Sequence, residues 1–91
     1  MSIYVENAGA LKVLAHPVRI QIIKELITRG SCNGNQLMEI LDIPQSTVSQ
    51  HLSIMKSKKL VARDRKGLEV YYSAPNKKFN SIVELLLETG S

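Results

Sequence analysis

The short segment Asp42-Ile43-Pro44 restricts this chain more than any other feature, because it joins two helical patterns with almost no linker. Before it, Asn33-Gly34 opens a short helix whose Leu37, Ile40 and Leu41 recur at inward-facing spacing. Proline biases Ile43 away from the α region and can itself stand at the start of the next helix. That next helix is predicted from Gln45 to Ser57. At 100° per residue, Val48, Leu52 and Met55 fall within about 60° of one another. Ser46, Ser49, Gln50 and Ser53 fall on the opposite side. A merely solvated helix face usually carries Glu and Lys. This one carries hydroxyls and an amide, groups that hydrogen-bond base edges and phosphates. Two short helices in tight succession, the second polar on its outer face, describe a helix-turn-helix.

The flanking segments extend this unit into one domain spanning residues 1–91. A first helix from about Tyr4 to Ala15 carries Val5, Ala8, Leu11 and Leu14. Pro17 opens a second, with Ile20, Ile23, Leu26 and Ile27 as its buried stripe and Gly30 as its C-cap. After the polar helix, Leu60 and Val61 begin a strand, Lys66-Gly67 turns the chain, and Leu68 to Ser73 returns as a β-rich strand. Strand alternation buries one of Tyr71 and Tyr72. A last helix from about Lys77 to Glu88 carries Phe79, Ile82, Val83, Leu85, Leu86 and Leu87, more apolar surface than one face needs. The expected architecture is mainly α with a β-hairpin wing: four helices, a two-stranded wing and a fifth helix, a winged helix-turn-helix. The apolar surplus predicts a homodimer interface at Val5, Leu11, Leu14, Ile82, Val83 and Leu86.

Charge points the same way. The net charge is +4, and six of the twelve basic residues lie between positions 56 and 66: Lys56, Lys58, Lys59, Arg63, Arg65 and Lys66. Only Asp64 opposes them there. A basic hairpin directly after a polar helix implies a polyanionic partner, double-stranded DNA. Gln45, Ser46, Ser49 and Gln50, on the first turns of the polar helix, are the candidate base readers. Thr47, Ser53, Lys56, Arg63, Arg65 and Lys66 are the candidate backbone and wing contacts. Two other classes compete. A protein-interaction module would place apolar anchors where the serines stand. An RNA-binding winged helix would need exposed aromatics, and Tyr71 and Tyr72 are the only candidates. Nothing suggests catalysis: there is no nucleophile elbow, no glycine-rich phosphate loop and no metal-binding histidine pair, and no cofactor is expected. One cysteine, an N-terminus without a signal-peptide pattern and no apolar run near ~20 residues predict a cytoplasmic protein without membrane contact.

Three stretches resemble the ArsR/SmtB repressors: Leu14-Ala15-His16-Pro17-Val18-Arg19, Gln45-Ser46-Thr47-Val48-Ser49-Gln50-His51-Leu52, and Leu60-Val61 through Gly67 to Tyr72. The resemblance covers about residues 8 to 75 and implies a winged-helix homodimer, joined by its first and last helices, that represses by occupying an operator. Many of its members sense metals, through a Cys-x-Cys pair or through Asp and His of the last helix. The positions matching the pair hold Asn33 and Asn35, which are not soft ligands, and the last helix offers Glu84 and Glu88 but no histidine. No metal and no metal effector are therefore expected. This chain is similar to the subgroup without the sensing cysteines, which includes virulence-gene regulators. Cys32 reads as a small buried hydrophobe, with a redox thiol as the sharper alternative. His16 reads as a helix cap and His51 as a brace of the polar helix.

Overall fold

The computed structural model describes residues 2–88. Among the described residues there are five helices: α1 (Ile3–Leu14), α2 (Pro17–Arg29), α3 (Gly34–Leu41), α4 (Gln45–Ser57) and α5 (Lys77–Leu87). Three strands are present: β1 (Cys32–Asn33), β2 (Ala62–Lys66) and β3 (Glu69–Ser73). The helix ends follow local chemistry. Ser2 caps α1 through its Oγ, which accepts from Tyr4 N. Gly30 ends α2 with φ +85, a conformation L side chains rarely adopt. At α3, Asn33 and Gln36 form a reciprocal capping box, each side chain 2.8 Å from the other residue's backbone nitrogen.

The sheet is antiparallel with order β1-β3-β2. β2 and β3 are the expected hairpin. β1 is an addition: Cys32 pairs with Tyr72 and Asn33 with Tyr71, so a two-residue strand covers the inner edge of the wing. A period-two pattern cannot show in two residues, and neither Cys nor Asn advertises a strand.

The core is aliphatic, with Ile22, Ile23, Leu26, Leu37, Val48, Leu52 and Met55 almost wholly buried. Helix α2 runs through its middle and touches every other helix. Two residues assigned to a dimer interface belong to this core instead. Leu14 is 2% exposed and Val83 is fully buried, so neither can meet a second chain. The reason is angular: Leu14 lies nine residues from Val5, about 180° around the helix. Val5 and Leu11 face outward while Ala10 and Leu14 face the core. In α5, Phe79 and Val83 enter the core, Ile82 is half-buried against it, and Leu86 lies one turn beyond and is 61% exposed.

Candidate nucleic-acid interface

Helix α4 is held from beneath by Val48, Leu52 and Met55, all buried, which fixes its opposite face outward. The turn before it is set by Asp42, whose left-handed backbone (φ 54, ψ 48) ends α3. Pro44 then supplies the helix start: its carbonyl oxygen accepts from Thr47 N at 3.0 Å and Val48 N at 3.1 Å. Gln45, Ser46, Ser49, Gln50, Ser53 and Lys56 are exposed, and Thr47 is half-buried.

The wing stands beside this face. Ser49, Ser53 and Lys56 of α4 line a concavity of about 250 Å³ together with Arg63 of β2 and Tyr72 of β3. Gln45 and Ser49 border a second, of about 240 Å³, with Asn33, Asn35 and the wing residues Leu68 and Glu69. Ser49 therefore stands at the junction of both. Gln50 lies on the other flank, in a groove shared with Ser53, Ile54, His51 and Arg19. Arg65 and Lys66 project farther out on the wing; Arg65 Nε donates to the Gly67 carbonyl at 3.3 Å, and Lys66 Nζ lies 5.7 Å from the centre of the Tyr71 ring. Tyr71 and Tyr72 are both half-buried, so alternation does not hide either one completely. Among the described residues the ion pairs are Lys24–Glu25 and Arg29–Glu25. None of the cations on α4 or the wing is neutralised by them. Arg19, Asn35 and Leu68 are not singled out for this surface by the sequence, which offers Tyr72 only for the RNA-binding alternative. Tertiary placement alone brings them there.

A side-chain network anchors α4 to the helices behind it. His16 caps α2, its Nδ1 accepting from Val18 N at 3.1 Å. Arg19 Nε donates to His51 Nδ1 at 3.0 Å, and Arg19 Nη1 donates to the Val13 carbonyl at 3.0 Å. The two imidazoles sit with ring centroids 4.7 Å apart. The bond to His51 Nδ1 requires that nitrogen to be unprotonated, with any proton on Nε2. Burial, then His16, then the Arg19 guanidinium hold the His51 pKa below its usual value. A histidine with a lowered folded pKa takes up its proton more readily when unfolded. Its stabilising contribution is thus complete above about pH 6.5 and is lost as pH falls from there through the folded value. Denaturant midpoints should accordingly drop between pH 7.5 and pH 5.5, and His51→Gln should flatten that drop. An equal drop in both proteins would place the acid sensitivity elsewhere.

The chain and its fold are similar to known proteins. Residues 16–63, just over half of the chain, match the family described as bacterial regulatory protein, arsR family. The transcriptional repressor PagR of Bacillus anthracis is 48% identical over 81 residues, covering 89% of this chain and 81% of that one. The chain belongs to the ArsR family. The crystal structure of PagR superposes with a TM-score of 0.85 at 46% identity, covering 91% of this chain and 94% of that one. A homodimeric winged helix-turn-helix DNA-binding domain from Mycobacterium bovis, Mb0332, superposes with a TM-score of 0.82 at 25% identity, covering 92% of this chain and 77% of that chain. The protein is thus a DNA-binding transcription regulator of the winged helix-turn-helix type, with α3 and α4 as its helix-turn-helix and β2–β3 as its wing.

Within this ArsR-family frame the sensing positions are otherwise employed. Asn33 gives both ends of its carboxamide to structure: Oδ1 caps α3 and Nδ2 donates to Glu69 Oε2 at 2.8 Å, tying the helix-turn-helix to the wing. Asn35 is exposed on the first turn of α3. Of the two readings of Cys32, its burial favours the small buried hydrophobe over the redox thiol. Its side chain is fully buried beneath the β1–β3 pair, and desolvation raises the thiol pKa, with Arg29 opposing and Glu25 reinforcing the shift. A sensing thiol needs access and thiolate character, and Cys32 has neither. Among the described residues no three His, Cys, Asp or Glu side chains gather into a metal-sized group.

Proposed function

We propose that this protein represses transcription in the cytoplasm by binding an imperfect palindromic operator as a homodimer. The observation that carries the reading is the largely uncharged, hydrogen-bonding outer face of α4 set beside wing cations that form no ion pair among the described residues. Such a surface suits base edges and phosphates, whereas a protein partner would call for apolar anchors. Gln45, Ser46, Ser49 and Gln50 read bases; Thr47, Ser53, Lys56, Arg63, Arg65 and Lys66 engage the backbone. Outward-facing Val5 and Leu11 of α1, with Ile82 and Leu86 of α5, form the dimer seam, extended by Ile3, Tyr4, Leu85 and Leu87. A soluble monomer would not normally leave so many large apolar side chains open on two helices. No helix among the described residues is long and apolar enough to cross a membrane. Gel shifts of the protein on duplex DNA and on RNA of the same sequences test the partner. Preference for duplex supports the reading; preference for RNA contradicts it.

Operator binding does not answer to metal. Asn33 is committed to capping α3 and holding Glu69, and α5 offers Glu84 but no histidine. Calorimetric titration with zinc should show no site tighter than about micromolar, far from what a built structural or sensing site gives. A stoichiometric nanomolar site that releases DNA would contradict this.

A further inference from the structure

The apolar side chain that the structure exposes most belongs to the wing tip. Leu68 is 96% exposed, more than any other large hydrophobic residue among those described. A single exposed leucine is ordinary; the position of this one is not. It forms, with Gly67, the two-residue loop between paired Lys66 and Glu69. Gly67 has φ +66 while Leu68 does not have a positive φ, the sign pattern of a type II′ hairpin turn with glycine first. The loop is held on both sides. Arg65 Nε donates to the Gly67 carbonyl, and Glu69, the next residue, accepts from Asn33 Nδ2 at 2.8 Å. Leu68 is therefore presented from a braced tip. It also borders the same concavity as Gln45 and Ser49, which places it on the side of the molecule that α4 turns toward its ligand.

From this placement we infer that Leu68 is a DNA-contacting residue, the apolar tip with which the wing enters the minor groove beside the major groove occupied by α4. The inference rests on the DNA-binding reading above. The strand between the two grooves would pass over the concavity that Asn35 and Gln45 line, where the Glu69 carboxylate is engaged by Asn33 Nδ2. Arg65 and Lys66 bring the wing to the phosphates, and Leu68 then packs on deoxyribose and base edges. Apolar side chains commonly enter the minor groove in this way, at steps that open readily. An apolar contact of this kind releases no counterions, so its loss leaves the salt dependence untouched.

Fluorescence anisotropy on duplexes selected from a random pool, titrated at several salt concentrations, tests this with Leu68→Ala and Leu68→Met. The exposure of Leu68 means that both variants fold, which thermal melting verifies. Leu68→Ala should bind about tenfold or more weakly with the wild-type salt slope, since two half-covered leucines leave the complex, and Leu68→Met should recover most of the affinity. Leu68→Ala should also relax base preference in the flanks of each half-site. Wild-type affinity in Leu68→Ala would overturn the inference. So would a weaker complex with a shallower salt slope, because that reports displaced wing cations. Failure of the wild-type protein to bind any duplex would instead bring down the DNA-binding reading, and the inference with it.

Discussion

Leu86→Glu should convert the protein to a monomer and reduce operator affinity by about a hundredfold or more. Leu86 continues the inward stripe of α5 one turn past the core, so it is 61% exposed and stands beside Leu85 and Leu87. A two-fold interface meets each substitution twice. Two carboxylates brought into an apolar seam without partners cost several kcal/mol, enough to separate a dimer of this size. Each freed protomer keeps its core, since Phe79 and Val83 still anchor α5. The loss in affinity then follows from valency: two linked half-site contacts gain about 10²–10⁴ over one. Sedimentation should move from twice the 10.1 kDa chain mass to that mass alone, with an unchanged helical circular dichroism spectrum. A wild-type protein already sedimenting as one chain would contradict the dimer.

The second large effect separates reading from positioning. Arg65→Ala should weaken binding to all duplexes alike, while Gln50→Ala should relax base preference. Arg65 projects from the wing, and its nearest hydrogen-bond partner is the Gly67 carbonyl, which leaves its charge free for phosphate. Loss of one phosphate contact lowers the slope of log K against log salt by about 0.9, and the dimer counts it twice, giving nearly 2. Gln50 is exposed on α4, and a bidentate glutamine–adenine pair would supply about 1–3 kcal/mol of discrimination. Selections repeated with each variant decide the matter. An altered consensus with Arg65→Ala and an unaltered one with Gln50→Ala would reverse the assignment.

Most of the fold was legible because its boundaries are written in residues with few conformational choices. Pro17 starts α2, Gly30 ends it, and Pro44 opens α4, and the structure places each of those ends where the residues imply. The histidines were legible for a related reason: His16 precedes a helix-opening proline, and its role as a cap is local. What the sequence hid depends on the third dimension. Strand β1 is too short to carry a period, and it forms only because β3 offers an edge to Cys32 and Asn33. Leu14 and Val83 look like surplus apolar residues until α2 is packed between their helices and uses them. The burial of Cys32 was expected from its residue type, but the strand that encloses it was not. The surface uniting Arg19, Asn35, Leu68 and Tyr72 with α4 draws on elements up to half the chain apart, which no motif records.

The most direct test of the account is selection of bound fragments from random duplex DNA by the wild-type protein at physiological salt. A two-fold dimer on the proposed operator would set two copies of α4 about one helical turn of DNA apart, near 34 Å, or a small multiple of that. The account predicts enrichment of an imperfect palindrome whose half-site centres keep that spacing. Enrichment of a single unrepeated site, or no enrichment of any duplex, would contradict it.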